Sequence, residues 1–470
     1  MVFSSEIFIF TFLPLFLLAY YAVPFRFRSG VIVVFSYTFY GWWRFDFLAL
    51  IIGMTLWVYW FGAQIYRNLD TRAAKTLCII GVSGCLAVLG VFKYFNFFID
   101  NFAALAGKTP ADLGVTLRII LPIGVSFFVF HAISYLVDIL RKEVPPADDL
   151  VDFAAFIALF PHLVAGPVLR YKDLSAQLKA RDHSLELFLE GVRWFTLGLA
   201  KKVLIADAVA PIADQMFSQA NPTFIESWLG ALAYTVQIYF DFSGYSEMAV
   251  GLGLMIGIRF IQNFHFPYMS RSITEFWRRW HISLSVWLRD YLYVPLGGNR
   301  RGVARTYINL FLTMLIGGLW HGANWTFILW GAFHGGVLAI ERAAGVGKSQ
   351  RPVWFIPSTM LLVILAWVMF RAPDMTVALD MYRGMSGLNG IEISPEISWQ
   401  IASESLAILA IGIIIICIEP FVSNLTIAPN EELLLQRVGA VKALAVSALA
   451  IVAVLRIAEQ SFSPFLYFQF

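Results

Sequence analysis

The sequence predicts an all-α integral membrane protein that crosses the bilayer many times, and three observations carry that expectation. Hydrophobic residues fill 59% of the 470 positions and charged residues only 14%, where a soluble domain carries about 25% charged residues. Apolar runs long enough to cross a hydrocarbon core of about 30 Å recur from one end of the chain to the other. Polar stretches between them are short, so 1–470 reads as a single membrane domain.

The first expected span is 7–24. "MVFSSEIFIFTFLPLFLLAYY" has no basic residue before its apolar run and no small-residue cleavage site. It reads as a retained span rather than a signal peptide, starting outside and delivering Arg26 and Arg28 to the cytoplasm. Further spans are expected at 31–65 (interrupted at 44–46), 77–106 (read as two), 119–138, 153–169 and 190–206. The remainder are 227–257, 285–296, 308–341, 353–370, 404–420 and 441–457. Several are too short or too long for one plain helix, which gives about 10 to 12 crossings plus re-entrant or interfacial helices. The basic segments 67–75, 141–142, 170–181 and 259–305 read as cytoplasmic loops. "KEVPPADDL" at 142–150 is a loop by its paired prolines and acidic cluster. The net charge of +3 is small, and the basic loops contain no nucleic-acid-binding module, so nucleic acid is not an expected partner. Lipid headgroups or an anionic donor suit those loops better. Cys78, Cys85 and Cys417 form no CxxC pair and read as core thiols.

Two stretches break the apolar pattern. In "SITEFWRRWHISLSVWLRDYLYVPLGGNRRGVAR" (272–305), preceded by Arg271, stand Arg278, Arg279, Arg289, Arg300, Arg301 and Arg305 against Glu275 and Asp290. Helical spacing puts Trp277, His281, Leu284 and Leu288 on one face and most of the arginines off it, as in an interfacial amphipathic helix. That reading leaves a histidine on the apolar face unexplained. The second stretch is 308–341, which as one helix would reach roughly 50 Å. It must break or tilt, and "GGLWHGAN", with Gly317, Gly318 and Gly322, is the expected place. If Arg305 marks the cytoplasmic surface, His321 lies about 24 Å along the helix from it.

Among the seven histidines, His183 reads as solvated, His265 as loop packing, and His131, His162 and His334 as packed structure. His321 differs, because an ionisable group beside a backbone break inside the membrane suits proton transfer. Catalysis and a structural, helix-breaking hydrogen bond weigh evenly on these features alone. No metal site is expected, since HxxxH spacing and a third local ligand are absent from the sequence. "QIYFDFSGYSEMAVGLGLMIG" (237–257) sets Asp241, Ser243, Tyr245 and Glu247 in an apolar run, either lining a polar path or tying helices together.

Several segments together resemble the membrane-bound O-acyltransferases, and within them the branch that acetylates alginate. They are "LPIGVSFFVFHAISYLVDILR", "FAAFIALFPHLVAGPVLRYKDL", "QIYFDFSGYSEMAVGLG", "FWRRWHISLSVWLRDYLYVPLGGNR", "GGLWHGANWTFILWGAFHG" and "SPFLYFQF". The resemblance covers nearly the whole chain. It places the family's membrane-embedded histidine on His321 and its second conserved polar position on His281. It implies a ring of helices around a central funnel and tunnel. It also implies transfer of an acetyl group from cytoplasmic acetyl-CoA, a donor substrate rather than a bound cofactor. The acceptor would be an extracytoplasmic polysaccharide, alginate or a similar exopolysaccharide, reached with a periplasmic O-acetyltransferase or other modification subunits as partners. On that footing His321 serves as general base or transient acyl acceptor, and His281 orients the donor thioester or polarises its carbonyl. Arg278, Arg279, Asp241, Tyr245 and Asn324 are the candidates for donor binding or tunnel lining. The alternatives are a transporter or flippase using Asp241, Glu247 and His321 as a path, or acyl transfer to peptidoglycan, cellulose or teichoic acid.

Overall fold

The computed structural model describes residues 1–164, 166–347, 351–424, 432–459 and 465–466, and every regular element among them is a helix. Among the described residues, five helices are long and apolar enough to cross a bilayer: Phe45–Arg67, Arg72–Leu105, Val303–His321, Val353–Arg371 and Ser403–Phe421. Phe8–Ala22 and Val125–Leu140 are apolar but shorter. The chain divides into two compact units, residues 1–192 with 249–261 and residues 193–248 with 262–470.

In the first unit, Leu48–Arg67, Arg72–Leu89 and Val125–Leu140 pack on one another. Small residues let their backbones close up: a Cβ on Gly62 would stand 2.5 Å from the Tyr135 ring. The outward faces are as apolar as the packed ones, with Ile79, Leu86, Phe98 and Phe102 all exposed. Hydrocarbon, not water, is the solvent such a surface requires. The 31–65 run is interrupted where the sequence predicts, by a short turn at Phe45–Phe47 between Arg28–Gly41 and Leu48–Arg67. The 77–106 run differs from expectation. It is one rod, because Gly90 keeps helical angles and a π-helical turn at Gly90–Tyr94 carries the chain on without reversal. His183 is only partly solvated. It is half-buried, 2.9 Å from the Tyr20 hydroxyl and 3.0 Å from Arg28. Burial and the Arg28 guanidinium hold its imidazole below the usual histidine range.

The second unit departs from the sequence reading in one place and sharpens it in another. The amphipathic helix expected across 272–305 is two short ones, Ile273–Arg279 and Ile282–Leu288, followed by a π-helical turn at Arg289–Tyr293. His281 is the joint between them, with φ +44°. The overlong 308–341 segment breaks within "GGLWHGAN", where the sequence expects, and the break is a reversal. Val303–His321 and Trp325–Ala343 form an antiparallel hairpin. Gly317 and Gly318 stay inside the first helix, and the break falls at Gly322, in extended backbone. Gly318 and Gly331 instead let the two helices touch, since a Cβ would lie 2.3 Å from the Phe327 carbonyl or 2.4 Å from the Met314 carbonyl. The expected spans 404–420 and 441–457 fall within Ser403–Asn424 and Glu432–Glu459. Of "SPFLYFQF" only Phe465 and Leu466 lie within the described residues.

Candidate active site

His321 closes the first arm of the hairpin, one residue before the extended Gly322. It is buried, and three aromatic rings surround its imidazole: Trp320 at 5.0 Å, Trp330 at 5.1 Å and Phe370 at 5.2 Å between centroids. Trp330 and Phe370 meet the ring edge-to-face, the arrangement aromatic quadrupoles favour. A ring held this way has few orientations open to it, and little bulk water reaches it. Three residues on, Asn324 caps the returning helix by accepting from the Thr326 N–H at 3.2 Å, and its amide donates to the Pro373 carbonyl at 2.7 Å. Asn324 therefore fixes the turn that presents His321, where the sequence reading put it in the donor or tunnel lining.

His281 is fully buried, and its left-handed backbone stops one helix and starts the next. Since its side chain gives the new helix no cap, the cap comes from elsewhere in the chain. The Asn263 carbonyl accepts the Ile282 N–H at 2.9 Å, and the Asn263 side-chain oxygen accepts the Ser283 N–H at 3.1 Å. The same side-chain oxygen lies 3.2 Å from His281 Nδ1. Nε2 has no hydrogen-bond partner among the described residues. The preceding helix is anchored by Glu341, whose carboxylate accepts the Ile273 and Thr274 N–H groups, both at 2.8 Å. His334 holds the same helix by accepting from Trp277 at 3.3 Å, the packing role the sequence suggested.

The two candidate histidines come together around one side chain. The Trp320 ring is 6.5 Å from His281 and 5.0 Å from His321, so the imidazoles are separated by at most the sum of those distances. Other candidates sort differently. Arg278 is exposed, without an ion pair among the described residues, and Arg300, Arg301 and Arg305 are exposed as well. Arg279 is bound to Glu275 at 2.7 Å, which offsets its charge. Tyr245 is buried and stacks on Phe465 at 4.4 Å. Asp241 is buried in an ion pair with Lys202 at 2.6 Å, and the Leu466 N–H also binds it. Lys202 reaches Asp207 at 2.6 Å too. Its neighbour Lys201 lies 2.6 Å from Glu247 and 3.2 Å from Glu419. Both intramembrane carboxylates singled out by sequence thus tie helices together. A translocation path needs them exposed to a passage, so this pairing counts against it. In the first unit, His131 and His162 are buried edge-on to each other at 4.5 Å, and no cluster of three potential metal ligands occurs among the described residues.

Sequence reasoning missed Asn263, the Trp320–Trp330–Phe370 wall and the two lysines. "QNFHF" drew attention to His265, and "LAKKVLIADA" looked like the end of a span. Two adjacent lysines in so apolar a run were the available signal for buried pairing.

Residues 142–381 match the membrane-bound O-acyltransferase family. Across the whole of both chains the sequence is 48% identical to the "Probable alginate O-acetylase AlgI" of Pseudomonas putida. It is 54% identical to the protein of the same name from Pseudomonas aeruginosa, over 84% of this chain and 76% of that one. A "Peptidoglycan O-acetyltransferase" of Helicobacter pylori is 37% identical over 84% of this chain and 81% of its own. With its spanning helices and its full-length relatives, the chain belongs to the membrane-bound O-acyltransferase family and is a multi-pass membrane enzyme that transfers acyl groups to oxygen.

Proposed function

We propose that the enzyme takes an acetyl group from acetyl-CoA on the cytoplasmic side of the bacterial inner membrane and passes it outward to O-acetylate alginate or a similar exopolysaccharide. A periplasmic O-acetyltransferase or another modification subunit completes the transfer. The observation that supports this reading is that buried His281 and His321 both lie near the Trp320 ring, in an aromatic, water-poor setting. The alginate acceptor rests on relatives bearing that name at 48% and 54% identity.

The acceptor oxygen attacks the thioester carbonyl, a C–O bond forms and the C–S bond breaks. The hydroxyl proton moves to the His321 imidazole and then to the departing thiolate, so the reaction has no net proton change. His281 orients the donor. Arg278, Arg300, Arg301 and Arg305 are exposed cations that attract the coenzyme A phosphates.

His321→Ala tests the reading. Removal of a general base lowers the rate by about 10²–10⁴-fold. Coenzyme A release from radiolabelled acetyl-CoA by purified protein, and exopolysaccharide acetate in cells, should both collapse. Normal acetate content with the variant folded and inserted would overturn the role of His321.

A further inference from the structure

We infer that Asn263 is a positioning residue for His281, locking its imidazole as the Nδ1–H tautomer and leaving Nε2 as a bare hydrogen-bond acceptor. The inference rests on the reading above, in which His281 serves the donor thioester.

The amide oxygen of Asn263 fixes the ring's tautomer. Three groups converge on Asn263 Oδ1: the Ser283 N–H at 3.1 Å, the Ser283 hydroxyl at 2.8 Å and His281 Nδ1 at 3.2 Å. A backbone N–H can only donate, so oxygen and not NH₂ occupies that position. Facing an oxygen already engaged as an acceptor, Nδ1 must carry the ring proton. In the neutral ring the lone pair then lies on Nε2, which is buried and has no partner among the described residues. Such an atom costs free energy unless a substrate group occupies it.

Of the two roles the sequence offered for His281, this tautomer favours orientation. A neutral His281 with its proton on Nδ1 cannot donate to the thioester carbonyl and so cannot polarise it. It can accept, and the amide N–H groups along the coenzyme A arm are donors of the matching kind. His281 thus orients the donor by holding the arm. The surroundings give it no other polar partner. The Phe242 ring is edge-on at 4.7 Å, Trp320 lies at 6.5 Å, and no charged side chain among the described residues faces the imidazole.

Asn263 also caps the Ile282–Leu288 helix, so a test must separate holding the helix from holding the ring. Asn263→Ala frees the ring to turn and change tautomer, and kcat/KM for acetyl-CoA should fall about tenfold or more, the worth of one well-placed hydrogen bond. Asn263→Asp keeps an acceptor oxygen for the cap and the ring. Its negative charge favours the imidazolium, in which Nε2 is protonated and no longer accepts. The acid limb of the kcat/KM profile should therefore move to higher pH by about 1–3 units, with the thermal midpoint kept. A capping role alone predicts the opposite: Asn263→Ala lowers the thermal midpoint at unchanged kcat/KM, and Asn263→Asp keeps the wild-type pH profile. Either result overturns the inference. His281→Ala with wild-type kcat/KM would instead overturn the role of His281 itself, and the two failures stay distinct.

Discussion

Lys202 shows how single residues keep charge inside an apolar protein. Its side chain is 4% exposed and its ammonium serves two carboxylates, Asp207 and Asp241, whose side chains are 8% and 1% exposed. Lys201 and Lys202 are consecutive and so point to different sides of their helical turn. Each accordingly finds its own acidic pair, within the π-helical turn Lys201–Ala206. Removing one partner of such a buried group leaves uncompensated charge, at a cost of about 3–5 kcal/mol. Lys202→Met should therefore unfold at a clearly lower temperature in detergent, and adding Asp241→Asn should recover part of the loss. An unchanged midpoint would mean that water reaches the cluster. At this scale the sequence disclosed the anomaly but not its resolution. Asp241, Glu247 and His321 stood out because each is costly in hydrocarbon. Their partners did not, because Lys202 lies 39 positions before Asp241 and no periodicity records a contact between helices. His281 was found for the wrong local reason: it sits at a joint, not on a helix face.

The element that most changes the picture is the hairpin of Val303–His321 and Trp325–Ala343. Hydropathy registers how apolar a segment is and not which way it runs. Length and the glycines of "GGLWHGAN" pointed to a break in 308–341, but not to a chain that turns back on itself. The same limit explains 77–106, where one rod passed for two because nothing in composition distinguishes a reversal from a π-helical turn. Gly318 tests the hairpin, since its nearest neighbours are the backbone of the opposite arm. Gly318→Val inserts a branched side chain where even a Cβ would lie 2.3 Å from a carbonyl oxygen. Overpacking of this kind costs about 1–3 kcal/mol or more. The arms must part, and His321 moves against its aromatic wall. Acyl transfer should fall severalfold in the folded protein, with a lowered thermal midpoint. Full activity at an unchanged midpoint would show that the arms separate without cost.

For the molecule as a whole, charge is concentrated where the chain is not spanning. Arg300, Arg301 and Arg305 surround the start of the first hairpin arm, and Arg278 lies exposed nearby in sequence. If these cations recruit the donor, replacing them one at a time by Gln should raise KM for acetyl-CoA in step with the charges removed. The four-fold variant should lose most of the salt dependence of KM, because screening acts on the same attraction. A KM indifferent to the number of arginines would exclude recruitment by charge. The all-helical, multi-pass class was legible from composition, and the family from its motifs. The number and direction of crossings were not, for they depend on where the chain turns back. That reversal at Gly322 also settles a question of parity. An arm that goes out and returns adds an even number of passages, so Ala343 comes back to the end of the hairpin that carries Arg305. Counting 308–341 as one crossing inverts the assigned sidedness of every residue after it, including Arg351 and the helix Ser403–Asn424. The three residues between His321 and Trp325 thus decide which compartment each later loop faces.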